Sequence, residues 1–77
     1  MQVGDKVQVR STEEIDDLCV HDDMVGSNDP ETALEWHPEM EDYCSESTTI
    51  IEATEDGFRI AADGGRYEWA PSWLNVI

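Results

Sequence analysis

Between Ser11 and Phe58 the chain carries sixteen Asp and Glu residues and no Lys or Arg. All four basic residues, Lys6, Arg10, Arg59 and Arg66, lie outside this block. Residues 1–10 carry +1, residues 11–58 carry −16 and residues 59–77 carry zero, so the net charge of −15 is concentrated in one place. Such a block cannot supply an ordinary core: self-repulsion opposes its compaction. Its carboxylates must face solvent or a cation, and its few apolar residues must form narrow stripes that dock on the rest of the chain.

Seventy-seven residues make one domain, and a chain of that size buries only roughly 60–65% of its unfolded surface. Three Trp, two Tyr and one Phe within a hydrophobic fraction of 39% are too many for a disordered acidic tail. No apolar run approaches the ~18 residues of a membrane span, and Met1–Arg10 has no apolar signal-like core, which predicts a soluble, cytoplasmic protein. Cys19 and Cys44 form neither a Cys-x-x-Cys pair nor a disulfide framework and are expected to be core thiols. So dense a negative charge excludes direct binding to nucleic acid or anionic membranes, which are themselves polyanions. Partners should be cationic.

Val7 and Val9 alternate with Lys6, Gln8 and Arg10, the pattern of a half-buried strand. Ser11-Thr12-Glu13-Glu14 is a capping box that opens a short helix with the stripe Ile15, Leu18, Cys19 and an outer face of Glu13, Glu14, Asp16 and Asp17. His21 to Glu31 reads as loop, with two Asp, a Gly, Ser-Asn-Asp and Pro30. Leu34 and Trp36, two apart, suggest an extended piece. Pro38 then starts a second acidic helical turn, with Met40, Tyr43 and Cys44 inward and Glu39, Glu41 and Asp42 outward.

From Ser47 the period becomes two. Thr48–Thr54 is a β-branched strand, Phe58–Ala62 returns after a Glu55-Asp56-Gly57 turn, and Arg66–Trp69 follows an Asp63-Gly64-Gly65 turn as a third strand. Pro71–Leu74 fits a 3₁₀ turn and Asn75–Ile77 a closing strand. The expected fold is mainly β with short helices: an SH3-like small five-stranded barrel over residues 1–77, its acidic helical insertion (11–46) lying between strands 1 and 2 and its last strand beside Val7 and Val9. The motifs Val3-Gly4-Asp5-Lys6-Val7-Gln8-Val9-Arg10, Pro38-Glu39-Met40-Glu41-Asp42-Tyr43-Cys44 and Trp69-Ala70-Pro71-Ser72-Trp73-Leu74 make the chain resemble small SH3-like proteins of bacteria and their phages. Where such proteins have Cys-Gly-Lys, this chain has Cys44-Ser45-Glu46. The Ala-Leu-Tyr-Asp-Tyr run of peptide-binding SH3 domains is missing, so no polyproline groove is implied.

No Gly-x-Ser-x-Gly, phosphate-loop or His-Glu-x-x-His pattern is present, which points away from an enzyme. Cys19 with His21 is a poor nucleophile pair, because a thiol among carboxylates has a raised pKa. His21, Asp22, Asp23 and His37 have neither zinc-site nor EF-hand spacing, so neither a metal nor another cofactor is expected. Halophilic acidity is the main bland explanation, but it should acidify every surface, and residues 59–77 are neutral.

Carboxylates on successive helical turns lie about 5–6 Å apart, a spacing that can follow nucleic-acid phosphates. In that respect the chain resembles phage-encoded DNA mimics, the anti-CRISPR and anti-restriction inhibitors. The resemblance implies an inhibitor that occupies the basic groove of a nucleic-acid-binding protein such as a nuclease or guide-RNA complex; a monomer is expected, with a dimer left open. The expected contact residues are Glu13, Glu14, Asp16, Asp17, Asp22, Asp23, Asp29, Glu31, Glu35, Glu39, Glu41, Asp42 and Glu46, with Trp36 as an aromatic anchor if its ring is exposed. The competing expectation is an SH3-like adaptor or structural subunit that binds through Tyr67, Trp69 and Trp73, its acidity serving only solubility or adaptation to salt. In either case the crowded carboxylates are expected to titrate above their ordinary range, so that mild acid relieves repulsion.

Overall fold

The computed structural model describes residues 1–22 and 26–77, with Asp22 described by its backbone alone. The predicted contact residue Asp23 lies outside the described residues, as does the side chain of Asp22. β1 (Lys6–Val9) buries Val7 and Val9 and leaves Lys6 and Gln8 exposed, as the alternation requires. It lies between β5 (Ser47–Ala53) and β7 (Leu74–Val76), antiparallel to both, with Val7 opposite Thr48 on one side and Val76 on the other. β6 (Phe58–Ile60) completes an open four-stranded sheet in the order β6-β5-β1-β7. A second, three-stranded sheet holds β2 (Val20–Asp22), β3 (Gly26–Asn28) and β4 (Glu35–Trp36).

The domain is thus a small α+β unit, mostly strand with a few short helices, and its sheets do not close into the expected five-stranded barrel. The reason lies at Asp63. After β6 the chain enters a 3₁₀ turn (Ala61–Asp63), and the Asp63 carboxylate accepts from the Gly65 and Tyr67 amides at 2.9 and 3.0 Å and from the Trp69 indole N–H at 3.0 Å. Backbone donors that a fifth strand would commit to a ladder are bound to a side chain instead. The predicted Arg66–Trp69 strand shrinks to one bridge, Phe58 opposite Trp69. Asp63→Ala should therefore cost about 2–3 kcal/mol, since it orphans the buried Trp69 N–H as well as two amides. Urea denaturation measures this, and Asp63→Asn, which keeps an acceptor oxygen, should recover part of the loss.

Two further corrections concern the insertion. α1 (Thr12–Leu18) begins at Ser11, whose hydroxyl accepts from the Glu14 amide at 3.3 Å. The reciprocal half of the box is changed: the Glu14 carboxylate takes a hydrogen bond from the Ser11 hydroxyl and pairs with Arg10 at 2.9 Å. Because Cys19 is already extended, the helix stops at Leu18, which is left exposed while Ile15 and Cys19 are buried. His21–Glu31, predicted as loop, holds β3 and all of β2 but its first residue, Val20; His21 pairs with Ser27 and Val20 with Asn28. These strands bury little apolar surface (Val20 is exposed), so no alternation marks them. The second helical turn forms as a 3₁₀ helix (Pro38–Tyr43) with Met40 fully buried and Tyr43 and Cys44 partly so.

The core gathers Val7, Val9, Ile15, Cys19, Met40, Ile50, Ile60, Trp69, Ala70, Trp73 and Leu74. Trp69 and Trp73 are both 0% exposed, so the aromatic rim expected of an adaptor is absent: two of its three residues are core. Among the described residues no helix is long and apolar enough to cross a membrane.

Candidate functional site

α1, the β2–β3–β4 sheet and the 3₁₀ helix Pro38–Tyr43 meet around a cavity of about 260 Å³. α1 contributes Thr12, Ile15 and Asp16, Cys19 just beyond its end adds a thiol, the sheet contributes His21, Ser27 and Trp36, and the 3₁₀ helix contributes Pro38 and Glu41. The two acidic elements that look unrelated in sequence thus flank one depression, with an apolar floor and a carboxylate from each side.

Trp36 is half-buried. Its ring packs edge-on against Trp73 (centroids 5.2 Å apart) and Trp69 (5.7 Å), and it also lines the cavity. Edge-to-face pairs of this kind add about 0.5–1.5 kcal/mol beyond burial, so the ring is fixed while part of it stays accessible.

His21 braces the cavity wall. Its Nδ1 lies 2.8 Å from Ser27 Oγ across the hairpin, and its Nε2 lies 2.9 Å from the Asp16 carbonyl oxygen and 3.2 Å from Asp16 Oδ1. With the proton on Nε2, the ring donates to Asp16 and accepts from the Ser27 hydroxyl. Although the order Ser, His, Asp resembles a hydrolytic relay, His21 and Asp16 are exposed by 54% and 71%. That exposure supplies neither the locked geometry nor the water exclusion that activates a nucleophile. The arrangement ties the hairpin to α1 and turns the Asp16 carboxylate along the wall. Sequence reading missed the Ser27 contact because it depends on hairpin register.

Of the predicted contact residues, Glu13, Glu14, Asp16 and Asp17 are exposed on α1, as are Glu39, Glu41 and Asp42 on the 3₁₀ helix, and Glu31, Glu35 and Glu46 beside them. Among the described residues only Asp16, Glu41 and Trp36 of this set share the cavity. Asp29 is a correction: it is 2% exposed and cannot be a contact residue. It accepts from Ser72 Oγ at 2.7 Å and from the Thr32 amide and hydroxyl at 2.9 and 2.8 Å, fastening the insertion to the C-terminal segment.

Among the described residues the two carboxyls with clear shifts, Glu14 and Asp29, run against the expected upward drift. The Arg10 guanidinium, with help from Ser11, holds Glu14 below its usual range. Burial pushes Asp29 up, but the hydrogen bonds from Ser72, Thr32 and the Glu31 backbone outweigh it and bring the group down. Cys19 does move as expected. Burial raises its thiol, the neighbouring Trp73 indole N–H pulls the other way, and the charges of Asp29 and Asp16 raise it further. Both cysteines are free thiols, and burial raises Cys44 as well.

Among the described residues no Lys or Arg lines the cavity. Arg10 binds Glu14 and the Ser72 carbonyl, Arg59 pairs with Glu52 at 3.1 Å, Arg66 lies over the Tyr67 ring, and Lys6 sits beside Thr49 on β1. Glu13, Asp17, Glu35, Glu41, Asp42 and Glu46 have no ion-pair partner among the described residues. Among those residues no group of three or more His, Cys, Asp or Glu side chains is placed to hold a metal ion. Comparison with known protein families, curated proteins and solved structures finds no match.

Proposed function

We propose that the protein is a non-enzymatic inhibitor whose acidic face occupies the basic groove of a nucleic-acid-binding protein, a nuclease or a guide-RNA complex, in place of nucleic acid. The observation that carries this reading is the convergence of α1 and the 3₁₀ helix Pro38–Tyr43 on one cavity, with Glu13, Asp17, Glu41 and Asp42 on those two elements neutralised by no basic side chain of the described residues. Acidity maintained only for solubility has no reason to be gathered on two elements that border one cavity. The mimicry works as nucleic-acid binding does, by long-range steering and by displacing counterions from a cationic groove.

Two observations support the kinship with SH3-like phage and bacterial proteins as part of this proposal. The last strand returns beside the first, and Ser45 stands at φ 67, a left-handed conformation that glycine adopts freely, at the place where those proteins carry Gly.

The test is capture from a cell lysate by the immobilised chain. The expected catch is a DNA- or RNA-binding protein that added duplex DNA or RNA displaces. Affinity should fall at least tenfold as salt rises from about 50 to about 200 mM. The variant Asp16→Lys/Asp17→Lys/Glu41→Lys/Asp42→Lys should abolish capture while keeping its circular dichroism spectrum. Capture that ignores both salt and charge reversal overturns the proposal.

A further inference from the structure

We infer that the cavity between α1 and the 3₁₀ helix Pro38–Tyr43 accepts a single arginine side chain of the basic partner. This rests on the acidic-face reading and specifies what that face grips.

Size sets the first limit. At about 260 Å³ the cavity falls below the ~300–1,000 Å³ of pockets that hold drug-sized ligands, so it suits one side chain. Its lining sets the second. Ile15, Cys19 and Pro38 offer apolar surface for an aliphatic stem, Trp36 offers an aromatic wall already fixed by Trp69 and Trp73, and Asp16 and Glu41 offer carboxylates from opposite elements. A long apolar stem ending in a cation is the complement of this arrangement. Between the two basic side chains the wall favours Arg, because a guanidinium is planar, weakly hydrated, stacks on indole and donates to several acceptors at once, whereas a Lys ammonium is a strongly hydrated point charge.

The one basic side chain in the lining, His21, touches Asp16 Oδ1 at 3.2 Å, and no Lys or Arg of the described residues lines the cavity, so a guanidinium must come from outside. Arg10 and Arg59 are held by their own carboxylates and Arg66 by Tyr67, while Lys6 borders a different depression beside Ile77. The partner inferred above is rich in Arg by its own function, since phosphate binding selects that residue. An arginine that normally contacts a phosphate would meet Asp16 and Glu41 in its place, with Trp36 adding the desolvated contact that a purely charged surface lacks.

The experiment titrates the full chain with N-acetyl-arginine amide, N-acetyl-lysine amide and N-acetyl-citrulline amide, following amide and indole N–H resonances. The arginine derivative should shift the Trp36 indole and the Thr12 and Ser27 amides saturably. The lysine derivative should bind at least about fivefold more weakly, as loss of stacking implies, and uncharged citrulline should leave the spectrum unchanged. Asp16→Asn/Glu41→Gln should weaken the arginine derivative at least about fivefold through the lost charge-assisted contacts, while Glu52→Gln/Glu55→Gln leaves it unaltered. Because the three ligands are compared on the unaltered protein, the outcome does not depend on any variant folding. Equal responses to arginine and lysine, spread over the whole acidic face, overturn the inference and leave the acidic-face reading intact. Selective arginine binding in the cavity, combined with lysate capture that ignores charge reversal, upholds the arginine site and retires the acidic-face reading.

Discussion

Asp29→Ala should cost about 2–4 kcal/mol, because it removes a buried charged acceptor and leaves three donors, the Ser72 hydroxyl and the Thr32 amide and hydroxyl, without their partner. For a domain of this size total stability is roughly 4–12 kcal/mol, so the loss is a large share of the whole. The effect should be visible far from position 29, since the Ser72 contact spans 43 residues and joins the insertion to the 3₁₀ turn Pro71–Trp73. Asp29→Asn, which keeps one acceptor oxygen, should fall between Ala and the native chain.

The pH dependence has a definite sign. Asp29 is held below the ordinary carboxyl range in the folded state, so its ionised form binds the fold more strongly than its neutral form. Its contribution is fully present above the unfolded pKa and is lost as pH falls through the lower folded pKa. Acid melts of the native chain should therefore steepen below about pH 4, and Asp29→Asn should flatten that limb while leaving the slope between about pH 5 and pH 7 alone. An Asp29→Ala protein within about 0.5 kcal/mol of native stability, with an unaltered acid limb, would show that the carboxylate is solvated and that the hydrogen bonds do not form.

Asp29 also shows where sequence reading stops. Ser27-Asn28-Asp29-Pro30 has the composition of an exposed turn, and nothing local distinguishes an Asp that caps its own turn from one that also meets Ser72. Position in the chain could not reveal that contact, because it is made by tertiary packing. The same holds at Asp63, whose turn was legible but whose capture of the Tyr67 amide and Trp69 indole N–H, and hence the missing fifth strand, was not. What could be read was what a single element decides for itself: the Val7/Val9 alternation, the Ser11 cap, the β-branched run of β5, and the closing strand beside Val7. The β2–β3 pairing left no mark, since backbone hydrogen bonds and the His21–Ser27 contact make it rather than an apolar alternation. The candidate site was half legible for the same reason. Its charges could be counted, but the cavity they surround exists only once the hairpin places Trp36 between α1 and the 3₁₀ helix.

Gly57→Ala is expected to be the most damaging small substitution. A Cβ at position 57 would stand 2.1 Å from the Trp69 carbonyl oxygen and 2.9 Å from its carbon, with the Leu34 Cδ1 at 3.2 Å. Backbone atoms cannot swing aside as a side chain would, so β6 and the Trp69 strand remnant must separate. That separation breaks both hydrogen bonds of their bridge, Phe58 N–H to the Trp69 carbonyl (2.9 Å) and Trp69 N–H to the Phe58 carbonyl (2.7 Å). Overpacking of about 1–3 kcal/mol and two lost bonds of about 1 kcal/mol each give a total near 3–5 kcal/mol. At about 4–8 °C per kcal/mol for a domain this small, the melting temperature should drop by roughly 15 °C or more.

The damage should also reach the candidate site, because Trp69 supports Trp36, the cavity's aromatic wall. In whatever fraction stays folded at low temperature, the response to N-acetyl-arginine amide should weaken even though no carboxylate has been touched. Gly64→Ala is the matching control. Gly64 has φ 70, but a Cβ there would meet nothing within 4 Å, so the substitution incurs only backbone strain of about 1–2 kcal/mol. If the two variants melt together, the close approach at Gly57 is not a feature of the folded protein, and the route from the β5–β6 turn through Trp69 to the cavity wall falls with it.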